Sequence, residues 1–247
     1  MFATVLRAFA GCMQQFISTC RLHLHGTLKG YGLNSLDLRL HSVMGPSTLG
    51  VKGYYVELGA NNGLTQSNTY LLQRRYGWTG LLIEPSPAKY LECVRNRTFG
   101  VRPSFRCAAC VDSDFAAAFV GMRYSDLMTV AVDLDLDPAA ALAHADTGGA
   151  FLRSVDEHHS FGAVAQTLTS LLDEVAAPLD FDLLSLDVEG NELAVLRGLD
   201  FSRYRPRWIL VEVRSADIEQ YLLARGYRCE AVLSDRGNYR DLLFCPQ

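Results

Sequence analysis

The chain has 247 residues, of which 49% are apolar and 20% charged, which suits one globular α/β domain with a large core and a modest extension. Its net charge of −4 gives no electrostatic footprint for nucleic acid, so no nucleic-acid partner is expected. Seven cysteines, scattered without framework spacing, point to a reducing compartment and a cytoplasmic location.

At the N-terminus, Phe2, Val5, Leu6, Phe9, Met13, Phe16 and Ile17 recur at three-and-four spacing, the pattern of an amphipathic helix. Arg7, Gln14 and Gln15 interrupt it, so no transmembrane segment is expected. A barely charged start and no clear small-residue cleavage site argue against a signal peptide. The helix is expected to pack over the domain or onto a second subunit, which leaves a homo-oligomer open; a peripheral membrane contact is the alternative. Residues 1–45 are taken as this extension and 46–247 as a single domain, with a substrate-side insertion around 113–165.

Tyr54–Leu58 reads as a strand that runs into the turn Gly59-Ala60-Asn61-Asn62-Gly63. A helix is expected near Ser67–Tyr76, then a second strand, Gly80–Glu84, ending on an acid one βαβ unit later. Open α/β sheets bind adenosine-containing cofactors in this way, with glycines admitting the ligand and the acid accepting from a ribose diol. The dinucleotide fingerprint G-x-G-x-x-G needs a middle glycine, and Asn61 stands there instead. S-adenosylmethionine carries no phosphate but does carry a sulfonium, which a Glu57-x-Gly59 start suits better.

A helix near Ala88–Arg97 leads to a third strand at Ser104–Ala108. The Cys107-Ala108-Ala109-Cys110 spacing has no matching second pair and is taken as small thiols filling a strand. Asp112 follows, placed for an adenine amino group. Apolar alternation over Met128–Leu136 suggests an edge strand, and Ala139–Ala145 is helix-prone. Phe151–Gly162 reads as an irregular polar loop, where a lid would belong; it carries His158 and His159 as candidate bases or acceptor contacts.

After a short helix at Leu168–Val175, the nearly apolar run Phe181–Leu186 reads as a central strand covered on both faces. Asp187, Glu189 and Glu192 cluster at its carboxyl end around Gly190. Glu192 suits a helix first turn; Asp187 and Glu189 precede the glycine and are assigned to chemistry. A fifth strand, Trp208–Val213, and a helix over Ala216–Ala224 follow. Two closing strands, Tyr227–Ser234 and Tyr239–Cys245, are joined by the turn Asp235-Arg236-Gly237-Asn238, a terminal antiparallel hairpin.

Three ordered blocks, Glu57–Gly63, Trp78–Pro87 and Leu186–Glu192, resemble the FkbM-type methyltransferases, and the likeness continues through Leu196–Asp200 and Tyr204–Glu212. The resemblance implies a class I methyltransferase (Rossmann-like) fold: a mostly parallel seven-stranded sheet with helices on both faces. It further implies S-adenosylmethionine as cofactor and O-methylation of a hydroxyl on a sugar, glycan, polyketide or other small natural product. The expected cofactor set is Glu57, Gly59, Ala60, Asn61, Asn62, Gly63, Glu84, Pro85 and Asp112. Methyl transfer is an in-line displacement, so the acceptor oxygen must stand behind the methyl carbon, with Asp187 or Glu189 taking its proton. A metal-free site is the reading adopted; Mg²⁺ held by Asp187 and Glu189 is the alternative. The rival functions are a non-catalytic interaction module on the same fold and an NAD-dependent oxidoreductase.

Overall fold

A computed structural model describes residues 29–50, 52–132, 134, 138–152 and 156–247; the helix expected over Phe2–Ile17 lies outside them. In chain order the elements are α1 (Leu36–Leu49), β1 (Tyr54–Leu58), α2 (Tyr70–Tyr76), β2 (Thr79–Ile83), α3 (Pro87–Arg97), β3 (Ser104–Arg106) and β4 (Ala109–Val111). Then come β5 (Phe119–Tyr124), β6 (Val130–Ala131), α4 (Pro138–Thr147), β7 (His159–Thr167), α5 (Leu168–Glu174) and β8 (Leu183–Leu186). The chain closes with α6 (Glu192–Arg197), β9 (Trp208–Val213), α7 (Ala216–Leu223), β10 (Tyr227–Asp235) and β11 (Arg240–Pro246).

Seven strands form one sheet in the order β10-β11-β9-β8-β1-β2-β3. β1 pairs in parallel with β2 on one side and β8 on the other, and β8 with β9. The last two strands make the expected antiparallel hairpin, with β11 against β9. This is the α/β architecture inferred from the sequence. Because the chain builds outward from β1 to β3 and then returns to place β8 on the other flank of β1, the strand order reverses between β1 and β8. A crevice opens at the carboxyl ends of such a pair.

Side chains alternate across the sheet with the strand period of two. Val56, Leu58, Leu81, Ile83, Leu184, Leu186, Ile209 and Val211 face one core with α5, α6 and α7. Tyr55, Leu82, Leu183 and Leu210 face the other, with Trp78 and the α1 residues Leu36, Leu40 and Met44. Those three recur every fourth position, one helical stripe. α1 is interrupted at Gly45, whose φ of 72° is left-handed.

The middle of the chain departs from the expectation. The strand expected at Ser104–Ala108 leaves the large sheet after Arg106, and Ala109–Val111 pairs instead with β7. A second, four-stranded sheet forms in the order β4-β7-β5-β6. Its β7 begins at His159, inside the stretch expected to be irregular, and pairs antiparallel with β5 from Phe119↔Val164 to Tyr124↔His159. The edge strand expected over Met128–Leu136 is two residues long. Small residues (Gly162, Ala163, Ala165) dilute the alternation of β7, so its strand character comes from pairing rather than from its own pattern.

Candidate active site

The crevice at the β1–β8 junction is a cavity of about 880 Å³, counting its open mouth. Its floor is the turn after β1: Gly59, Ala60 and Asn61 line it, as do Glu84 and Pro85 after β2 and Asp187, Val188, Glu189 and Asn191 after β8. Ala108, Ala109 and Cys110 form one wall, and the insertion supplies Met122, Asp126, Leu127, Thr129 and Ala131.

Glu84 sits at one end. Its carboxylate accepts from Asn61 N at 2.7 Å and Ser86 N at 2.8 Å, which fixes the turn against the second strand. Burial pushes its carboxyl up to about 7, against the pull of those two backbone donors and the nearby Lys89 ammonium. At the other end, Asp187 lines the cavity and is exposed there. Burial and then the negative charges of Glu189, Glu212 and Glu192 push its carboxyl well above the usual carboxylate range. Burial likewise lifts Glu212 to about 8 against the lowering effect of Arg214. Oxygens of Asp187, Glu189 and Glu212 lie within 4.8 Å of one another.

Two basic side chains, His144 and Arg214, face these acids. His144 Nε2 stands 2.7 Å and Arg214 Nη2 3.1 Å from Glu189 Oε2. Arg214 Nε lies 2.6 Å from Glu212 Oε1, an ion pair with that carboxylate. Glu189 has φ 58°, a left-handed conformation that costs a non-glycine residue about 1 kcal/mol or more and gathers at functional sites. Glu192, assigned to a helix start, behaves so: its Oε1 accepts from Val188 N at 3.0 Å and Gly190 N at 3.1 Å.

Several expected residues lie elsewhere. Glu57, expected beside the cofactor's cation, does not line the cavity. It is buried, and its carboxylate accepts from Ser67 Oγ, Asn68 N at 2.9 Å and Thr69 Oγ1 at 2.5 Å, with Arg97 Nη1 at 3.4 Å. Those partners fasten the loop Ser67–Thr69 under β1. Asn62 and Gly63 also fall outside the lining: Asn62 Oδ1 accepts from Leu64 N and Thr65 N, and Gly63 packs on Cys93 and Arg97. Asp112 is carried off by β4 leaving the large sheet and stands 3.8 Å from Arg197 Nη1. His158 and His159 are outside the lining too. His159 lies on β7 and stacks on Tyr124 at 4.7 Å.

Other residues take part unannounced. Asp126 accepts from Asn61 Nδ2 at 3.0 Å and Lys89 Nζ at 2.9 Å, tying the insertion to the turn and to α3. His144 comes from α4, where an alanine-rich run gave no signal of a site. Glu212 ends β9, a strand end of the kind that carries chemistry in these sheets, and that rule could have found it.

A Rossmann-like sheet with a glycine turn and acids at the carboxyl ends of its central strands defines a nucleotide-cofactor enzyme class. Residues 57–229 match the family model described as the methyltransferase FkbM domain, and the chain belongs to that family. No curated protein matches it. Among solved structures it is similar to magnesium protoporphyrin IX methyltransferase from Synechocystis PCC 6803 with bound SAM: 12% identity, 87% of this chain, 79% of that one, TM-score 0.47. It is also similar to precorrin-6y C5,15-methyltransferase from Geobacter metallireducens GS-15 (11% identity, 90% and 93% covered, TM-score 0.46). A methyltransferase FkbM from Methylobacillus flagellatus KT is 16% identical over 78% of this chain and 43% of that one, TM-score 0.43. Among the described residues, no helix is long and apolar enough to cross a membrane.

Proposed function

We propose that the chain transfers a methyl group from S-adenosylmethionine to a hydroxyl of a small molecule or glycan. The observation that carries this reading is a single cavity with Glu84 after β2 at one end and an acid cluster, Asp187 and Glu189, at the other, joined by the Gly59–Asn61 turn. Glu84 accepts the ribose hydroxyls on the lone pairs its backbone donors leave free. Ala108, Ala109 and Cys110 cover the adenine with small side chains. The carboxylates at the far end favour a cationic sulfonium over a pyrophosphate, which is why the dinucleotide reading loses.

In the transfer the acceptor oxygen attacks the methyl carbon from the side opposite sulfur. The carbon–sulfur bond breaks, a carbon–oxygen bond forms, S-adenosylhomocysteine departs neutral at sulfur, and the hydroxyl proton passes to a carboxylate. Asp187 is the acceptor of that proton, since its neighbours raise its proton affinity. His144 and Arg214 hold Glu189 in place. Calorimetry with S-adenosylmethionine, S-adenosylhomocysteine and NAD tests the cofactor: micromolar binding of the first two and none of NAD is expected. Absence of all three returns the chain to a non-catalytic module. Incubating extracts with isotopically labelled methyl donor, followed by mass spectrometry, identifies the acceptor.

A further inference from the structure

Several carboxyls crowd at one end of the cavity, and the same cavity is lined by a buried polar side chain that has no hydrogen-bond partner among the described residues. Asn191 is 3% exposed, lines the same cavity as Asp187 and Glu189, and has no hydrogen-bond partner for either Oδ1 or Nδ2. A buried amide left unpaired costs about 1–3 kcal/mol, a cost that a ligand can offset. Glu212, 7% exposed, has its Oε1 2.6 Å from Arg214 Nε. Four carboxyls (Asp187, Glu189, Glu192 and Glu212) converge here, and Arg214 and His144 are the basic groups paired with them.

We propose that Asp187, Glu189 and Glu212, with Asn191 Oδ1 as a fourth oxygen, form a site for one divalent cation at the acceptor end of the cavity. The Mg²⁺ alternative raised by the sequence thereby gains two ligands that the sequence did not assign. All four donors are hard oxygens, the set that takes Mg²⁺, Mn²⁺ or Ca²⁺ and not the thiolate- or imidazole-seeking metals. Three carboxylate oxygens lie within 4.8 Å of one another, a span that one ion can bridge, and Asn191 adds a ligand without adding charge. If the methyl-transfer reading above holds, an ion here binds two neighbouring hydroxyls of the acceptor, so the deepened reading is a diol-bearing substrate.

The test uses the full chain, stripped of metal and titrated with Mn²⁺, free ion being followed by electron paramagnetic resonance with and without S-adenosylhomocysteine. One Mn²⁺ per chain is expected. Glu212→Gln and Asn191→Ala should each weaken it roughly ten- to a hundred-fold, whereas Asp180→Asn, on an exposed loop residue, should not. A cooperative melt establishes that each variant is folded, and Asn191→Ala serves if Glu212→Gln is not. Failure of the wild-type chain to take up Mn²⁺, or equal uptake by the folded variants, overturns the site. Uptake of Mn²⁺ by a chain that binds no S-adenosylhomocysteine supports the cation site and sinks the methyl-donor reading instead.

Discussion

A Cβ on Gly59 would lie 1.9 Å from the backbone oxygen of Asp187. The two strand ends that frame the cavity therefore touch, and they touch only because one of them carries no side chain. Gly59 also has φ 70°, left-handed and costly for other residues. Gly59→Ala is expected to cost on the order of 1–3 kcal/mol and to push Asp187 away from the turn. Differential scanning fluorimetry should show a lower Tm, and calorimetry a loss of S-adenosylhomocysteine affinity larger than the Tm change explains. An unchanged affinity would separate the strand contact from the cofactor site.

Glu84 should make affinity for S-adenosylhomocysteine pH-dependent. Its carboxyl is pushed up to about 7 by burial, and only the ionised form accepts from both ribose hydroxyls while Asn61 N and Ser86 N donate to it. Affinity for S-adenosylhomocysteine should therefore fall as pH drops from 8 to 6. The sign for apo stability is opposite. A carboxyl with a folded pKa above its ordinary 4.5 leaves the folded state holding more protons than the unfolded one between those values. Its contribution is then fullest below 4.5 and is lost as pH rises through 7. Glu84→Gln should bind weakly at pH 8 and show little change with pH in this range by calorimetry.

How far the sequence spoke depends on whether a residue's role is local. Gly59–Asn61, Glu84 and Asp187 sit at strand ends whose apolar runs are unmistakable, and the parallel sheet follows from the same runs. Glu57 shares that strand end, but alternation across the pleat turns it under the sheet, where Arg97, 40 residues on, becomes its partner. Proximity in sequence to the glycine turn did not reveal this. Asp126 lies in the turn between two strands of the small sheet and His144 in an alanine-rich helix, segments with weak patterns, so only tertiary structure brings Asp126 to the cavity and His144 to Glu189. His158 and His159 stand outside the lining for the same reason: the stretch that reads as polar loop runs into β7 at His159.

Buried Arg97 should be the most sensitive charged position away from the cavity. Its guanidinium donates to Gly63 O at 3.0 Å, Ser67 Oγ at 3.1 Å, Tyr55 Oη at 2.8 Å and Thr69 Oγ1 at 3.0 Å, and pairs with Glu57. Arg97→Met leaves Glu57 buried without a cation, and breaking such a pair costs about 3–5 kcal/mol. Urea unfolding should show that loss. The double variant Glu57→Gln/Arg97→Met should be less destabilised than the sum of the two single ones, because the second change removes the stranded charge. Strict additivity would mean the two groups act independently.

Asp126 ties the insertion to the turn after β1 and to α3. Its backbone is left-handed at φ 52°, and its carboxylate holds both Asn61 Nδ2 and Lys89 Nζ. Neither contact lies within the large sheet and Lys89 keeps Glu92 at 3.7 Å, so Asp126→Ala should lower stability by about 1–3 kcal/mol, with a Tm a few degrees lower, and still fold. It should also shorten the lifetime of bound cofactor. With the insertion untied from the turn and α3, the wall formed by Met122, Leu127 and Thr129 opens more often, and dissociation of S-adenosylhomocysteine in stopped flow should be several-fold faster. Association should change little, since most affinity differences within one site lie in the off-rate. A variant that does not fold, or one that releases cofactor at the wild-type rate, would make Asp126 a structural tie rather than a latch.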